Sequence, residues 1–275
     1  MLLRWLRVPR RATVLIALPL LWLYVQVTGG SAPAMRAFLM IACFLGAKVF
    51  RLPGNPFAAL AASALLTLLL DPLQLSSTGF QMSYTVVAAL ILMGTPLGNR
   101  WVSRWKPFAL LPPSSWRWWH HWIDGQGRET LRNLAAGWTA FLASSPAGIG
   151  FFGLFSPGSL LANLVIIPLS NLIIRIGFLS LVIGLAGLTP LSALLNRAAA
   201  LVIIFTDRLL QSGVALPGIF FTAEFRAPWL APLSLAVMTA AMLAGASGHW
   251  SRRYGGYWLP VIVLALLIIF GVKFG

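Results

Sequence analysis

Few side chains in this sequence can carry out chemistry. His120 and Asp124 lie one helical turn apart, with His121 and Glu129 nearby. On a helix that spacing puts an imidazole and a carboxylate on one face, which is how a metal site begins. The other reading is an ordinary polar stretch at a membrane surface. A catalytic zinc also needs a third ligand in a dry, ordered pocket, and nothing here specifies one. The signatures G-x-S-x-G and H-E-x-x-H do not occur. No catalytic residue, metal or cofactor is therefore expected, and the chain is not expected to be an enzyme. Cys43 stands alone in an apolar run, which excludes an internal disulfide and a multi-cysteine metal site.

Charged and polar groups inside apolar runs are more informative, because an ionisable group at membrane depth is costly and usually functional. Arg175 is the best candidate. It lies well inside the apolar run 159–188, so it is either a buried functional charge or the end of a helix in cytoplasmic water. Arg36 and Lys48 sit near helix ends, where a long side chain can snorkel to the interface. Asn163, Pro168 and Asn171 share one helical stretch. Proline there frees a carbonyl one turn back. The segment 144–158, SSPAGIGFFGLFSPG, interrupts a helix with prolines and glycines. It suits a broken helix lining a cavity or a plain turn with close small-residue packing.

The elements that must hold these residues follow from composition. The chain has 275 residues, of which 59% are hydrophobic and 9% charged. A soluble domain carries about 25% charged residues, so lipid is the natural solvent. Apolar runs cover 13–28, 34–50, 56–70, 78–95, 134–152, 159–188, 191–210, 230–246 and 257–272. Spanning takes about 20 apolar residues as a helix. Period-two alternation is missing, so strands are not indicated. The expected fold is all-α: a polytopic transmembrane bundle of about seven to nine helices, with interfacial helices, forming one domain over 1–275.

Net charge is +15, from 20 Lys and Arg against 5 Asp and Glu. Basic residues collect in cytoplasmic loops. Arg4, Arg7, Arg10 and Arg11 place the N-terminus in the cytoplasm. Lys48 and Arg51 mark the next cytoplasmic loop, and Arg100, Arg104, Lys106, Arg117, Arg128 and Arg132 the one after. Residues 96–133 read as a cytoplasmic interfacial loop rich in Trp and Arg, with short amphipathic helices. Residues 159–188 form one long kinked helix or two crossings. The preferred version has two crossings, then 191–211 as an amphipathic interfacial helix bearing Asn196, Arg197, Asp207 and Arg208. That version puts Arg252 and Arg253 in the cytoplasm.

Three segments taken together are specific. GGSAPAMRAFLM (29–40) has a small-residue turn, then Arg36-Ala37 at a helix start. DPLQLSSTGFQMSY (71–84) has Asp71-Pro72, then Gly79, Phe80, Gln81 and Ser83. SSPAGIGFFGLFSPGSLLANLVIIPLSN (144–171) has Pro146, Phe152, Gly153, Ala162-Asn163 and Ile167-Pro168. In order and spacing this resembles the membrane competence domain of ComEC-type DNA-uptake proteins, over roughly 11–211. The motif positions are structural or path-lining. Capping by Ser76, Ser77 and Thr78, with Pro72 ending the previous helix, accounts for one of them without DNA.

The resemblance implies an inner-membrane channel of bacteria that passes single-stranded DNA into the cytoplasm during natural transformation. Arg175 is then a candidate charge on the DNA path. Implied partners are single-stranded DNA, membrane lipids and other competence proteins, with a homo-oligomer as a further expectation. Full-length members also carry an extracytoplasmic OB-like domain and often a metallo-β-lactamase-like nuclease domain. Neither is present in this sequence, nor is a His-x-His-x-Asp metal signature. Such domains are expected as separately encoded partners of a split channel. Otherwise the chain is a non-functional fragment or an assembly protein. A small-solute secondary transporter is a further alternative, which would require an inverted repeat with paired broken helices.

Overall fold

The computed structural model describes residues 10–50, 54–109, 111–112, 115–216, 218–227, 229–246 and 257–274. Arg4, Arg7, Arg51, Arg252 and Arg253, and the side chains of Arg10, Arg11 and Lys48, lie outside the described residues, and the topology expected from them with them. In chain order the helices are α1 (Arg10–Val27), α2 (Ala32–Val49), α3 (Pro56–Leu70), α4 (Thr78–Arg104), α5 (Trp118–Phe152), α6 (Ser159–Leu185), α7 (Thr189–Val214), α8 (Leu230–Ala246) and α9 (Trp258–Gly271). Three of them, α4, α6 and α7, are long and apolar enough to cross a membrane, and the fold is an all-α helical membrane bundle.

Two compact units divide the chain at Leu92 and Met93. The first holds α1, α2, α3 and the start of α4. Local chemistry sets its boundaries. Asn55 caps α3, its Oδ1 accepting from Phe57 N at 3.0 Å and Ala58 N at 3.4 Å, with Pro56 at the first helical position. Asp71 ends α3 in extended backbone and caps a 3-10 turn, Pro72–Ser76, accepting from Leu73 N at 3.1 Å. Ser77 then caps α4, accepting from Phe80 N at 3.2 Å. The core is Leu60, Phe80 and Tyr84, flanked by Met40, Ala64, Leu68, Val87, Ala88 and Ile91. The Phe80 and Tyr84 rings lie 4.5 Å apart. The Tyr84 hydroxyl meets Thr67 Oγ1 at 2.9 Å, which cross-links α3 to α4 inside this core.

The second unit is built on α5, 35 residues long. Small residues recur among its buried positions, Ala135, Gly137, Thr139, Ala143, Ser145 and Ala147, beside the larger Phe141, Leu142, Pro146 and Ile149. α4, α6, α8 and α9 pack on it. Glycine allows the closest approaches, since helix association in lipid depends on tight van der Waals packing. A Cβ on Gly150 would sit 2.8 Å from Ala231 Cβ on α8, and one on Gly137 would sit 3.5 Å from Asn163 Cβ on α6. α6 and α7 form an antiparallel hairpin, tied where Ser180 Oγ meets both Ser192 Oγ and Ser192 O at 2.9 Å. Beyond that seam they present Leu161, Ile174, Phe178, Leu181, Leu194, Leu201 and Phe205 outward, a surface suited to hydrocarbon.

Four expectations are corrected. Strands do occur: β1 (Leu154–Phe155), β2 (Phe221–Phe225) and β3 (Val272–Phe274) form an antiparallel sheet in that order. They are too short to show alternation, and partners far apart in sequence leave no hairpin signal. Residues 159–188 are not two crossings but one helix, α6, running through Pro168. Its partner α7 is of membrane-crossing length and packs along α6, so 191–211 is not an isolated interfacial helix. Most of 96–133 is helix, because α4 continues to Arg104 and α5 begins at Trp118. The Trp-rich stretch misled because indole and arginine density reports the headgroup region and is silent on backbone conformation.

Within α4 the turn Leu90–Gly94 is π-helical. It precedes Pro96, which has no N–H to offer the Leu92 carbonyl, and a widened turn is a usual accommodation of such a gap.

Candidate functional site

The first two motif segments meet at Arg36. This residue lies in the second turn of α2 and is only 6% exposed. The snorkelling expected of it is therefore not seen. Its guanidinium rests on Gly79, the second residue of α4: a Cβ built there would lie 3.0 Å from Nη2 and 3.7 Å from Cζ. Glycine allows this close approach, since a methyl there would press the guanidinium back by a few tenths of an ångström. Arg36 Nε is buried without a hydrogen-bond partner. The Arg36 side chain forms no ion pair or hydrogen bond among the described residues. Burying a charged side chain this far without an acidic partner is costly.

The acidic residue closest in sequence is committed elsewhere. Asp71 Oδ1 accepts from Leu73 N at 3.1 Å, and Oδ2 accepts from Gln74 Nε2 at 3.0 Å. Asp71 and Pro72 thus build the 3-10 turn that delivers the chain to the α4 cap. Gln81 supports the same turn, its Nε2 donating to Leu75 O at 2.9 Å. Phe80 is core, and Ser83 is half-buried one turn further on. The second segment therefore acts by shaping the start of α4, and Arg36 is laid across the result.

The third segment serves the second unit. Pro146 is fully buried inside α5, which continues past it to Phe152. The helix is not broken at the proline; it ends at Gly153, whose φ of 64° is left-handed backbone that glycine adopts without strain. Gly153 O then accepts from Ala223 N at 3.0 Å, which ties the helix end to β2. Phe152 points outward. Asn163 is half-buried against Gly137, and Pro168 is on the exposed side of α6.

Arg175 lies near the middle of α6 and is exposed. Ser180 and Ser192 fix the register of the α6–α7 hairpin. Arg175 is five residues before one and Arg197 five residues after the other, so each lies about 7–8 Å from that contact along its helix. Arg197, Asp207 and Arg208 are exposed on α7, and Asp207 accepts from Gln211 Nε2 at 2.8 Å. Neither Arg175 nor Arg197 has an acidic partner among the described residues. Chain order alone does not reveal that these two cations share a level.

His120 and Asp124 are engaged in different tasks. His120 is buried in an aromatic box, its ring stacked on Trp119 at 3.5 Å and edge-on to Phe108 at 4.6 Å. Its Nδ1 accepts from Arg117 N at 3.0 Å, which caps the start of α5. Asp124 pairs with Arg128 one turn on, at 2.6 Å. Among the described residues no three His, Cys, Asp or Glu side chains gather as metal ligands. Gly127 is explained by Trp105, whose indole fills the space a Cβ would take. Sequence reading missed the burial of Arg36. The available signal was Gly79, a glycine in the first turn of a helix, where it costs stability unless something must lie against it.

Comparison with known proteins agrees with this assembly of motifs. A family model described as Competence protein matches residues 1–250. No curated protein and no solved structure matches the chain. The family match takes in all three motif segments and extends through α8, beyond the stretch on which the motifs themselves lie. This helical membrane protein belongs to the competence protein family.

Proposed function

We propose that the chain is a DNA-translocating component of the competence machinery, of the ComEC type, which conducts a single strand across the bacterial inner membrane into the cytoplasm. It works by conduction and does no covalent chemistry of its own. It is multi-pass, with its N-terminus in the cytoplasm. OB-like and nuclease domains of the same machinery supply strand capture and degradation outside.

One observation carries this reading: cations at membrane depth lack acidic partners. The chain has 20 Lys and Arg against 5 Asp and Glu. Among the described residues the ion pair formed is Arg128 with Asp124, near the start of α5. Arg36 in α2, Arg175 in α6 and Arg197 in α7 have none. Charges in such places ordinarily pair with one another or mark a path. A polyanion neutralises them as it passes, and conduits for single strands use positive grooves in this way.

The test is uptake of a short fluorescent oligodeoxynucleotide into proteoliposomes containing the full chain, with and without the companion competence proteins. Protected label inside the vesicles, lost on substitution of Arg175 and Arg197 by Gln, supports the proposal. Vesicles that stay sealed to the strand with all partners present refute it.

A further inference from the structure

Positive charge converges at one place in the first unit. The Arg36 guanidinium lies against Gly79 in the opening turn of α4. The N-terminal end of a helix carries a partial positive charge and N–H groups that point outward. Ser77 caps Phe80 N, and Gln81 N bonds back to Ser77 O. The N–H groups of Thr78 and Gly79 have no partner among the described residues. A fixed cation has therefore been placed beside the positive end of a helix, where it is repelled.

No acidic group of the described residues offsets that repulsion. Arg36 is more than nine-tenths buried and its Nε is unpartnered. Asp71 is the acidic residue of the first unit, and both its oxygens are used in the 3-10 turn. Gly79 itself is exposed, so the helix end is open while the arginine stem is covered. A compact anion seated at that end would accept from the two free N–H groups and from the guanidinium together. Helix N-termini bind phosphate in this way, and the planar guanidinium matches phosphate oxygens in pairs.

We infer that Arg36 and the N-terminus of α4 form a binding site for a phosphodiester of the translocated strand. This rests on the DNA-conducting reading proposed above and adds a point of contact to it. A strand phosphate suits the placement better than a lipid headgroup, because Arg36 faces α4 from within the helical unit and does not lie on its outer surface.

The test uses the full chain in phosphatidylcholine nanodiscs, with a fluorescent oligothymidylate titrated by anisotropy over a range of KCl concentrations. Arg36→Gln is expected to weaken binding at least about tenfold and to reduce the salt slope by about 0.7, the share of one neutralised phosphate on a single strand. Its melting temperature should equal or exceed that of the wild type, since an unpaired buried charge is removed. Gly79→Ala keeps every charge but presses on the guanidinium and crowds the open helix end, and should weaken binding in the same direction by a smaller factor. A methylphosphonate oligothymidylate, which has a neutral backbone, should bind the wild type and Arg36→Gln alike. Wild-type affinity and slope in both variants overturn the site, whatever the wild type conducts. Displacement of the oligonucleotide by phosphatidylglycerol in the disc, in the wild type but not in Arg36→Gln, assigns the site to lipid phosphate and overturns the DNA assignment. Arg36-dependent binding in a protein whose proteoliposomes stay sealed to the strand would instead leave the site standing and sink the channel reading.

Discussion

Replacing Gly150 by Ala tests whether glycine contacts hold the second unit together. Gly150 lies in the last turn of α5, facing α8. A Cβ there would approach Ala231 Cβ to 2.8 Å, Phe225 Cε2 to 3.4 Å and the Ala231 Cα to 3.5 Å. Carbon pairs rest at about 3.5–4.0 Å, so α8 must retreat by about 1 Å, and the obstacle is a neighbouring methyl with no rotamer to change. Met238 and Ser234 are fully buried on α8, and a retreat loosens them too. Overpacking of this kind costs about 1–3 kcal/mol, and the gain in helix propensity on Gly→Ala offsets at most about 1 kcal/mol. The net loss is about 1–2 kcal/mol, which for a chain of this size lowers Tm by roughly 2–8 °C. Gly177→Ala on α6 is the matched control, since nothing lies within 4 Å of its Cβ. Thermal melts of both variants in the same detergent should place Gly150→Ala below the wild type and Gly177→Ala at or above it. If the two shift alike, the reasoning from close helix approach is wrong.

Tyr84→Phe and Thr67→Val each remove the 2.9 Å hydroxyl contact between α3 and α4. Each should cost about 0.5–1.5 kcal/mol, and in a double-mutant cycle the pair should lose less than the sum. Ser77→Ala deletes the α4 cap and should cost about 1 kcal/mol, while Ser77→Asp should retain most of the stability in the same melts. Gly153→Ala forces a side chain into left-handed backbone at φ 64°; a loss of about 1–2 kcal/mol is expected, and Gly153→Asn should be milder. Arg175→Leu places an apolar side chain on the exposed face of α6. Membrane insertion should be unchanged or improved by fractionation, while oligonucleotide uptake by proteoliposomes falls.

Much of the architecture was legible along the chain. The nine apolar runs correspond to helices because a backbone in lipid must satisfy its own hydrogen bonds, so run length alone reports them. Asn55-Pro56, Asp71-Pro72 and Ser77 act as helix boundaries because caps depend on neighbours two or three residues away. Local order also carried the three family segments. By contrast, the apolar run 159–188, with Pro168 in its first half, is ambiguous between one helix and two, and only the structure decided for one, packed along α7.

Sequence by itself determined that this chain dissolves in lipid as helices, which caps bound α3 and the start of α4, and that it belongs with competence proteins. Tertiary structure alone decided that Arg36 is buried against Gly79, that Arg175 and Arg197 share a level on one hairpin, and that three short strands close the second unit. The physical reason is range. Hydrophobicity, capping and proline act within a turn or two of their own residue, whereas burial and charge pairing depend on which distant segment arrives alongside. An arginine five residues into α2 reads the same in sequence whether water, a carboxylate or a bare glycine awaits it across the unit.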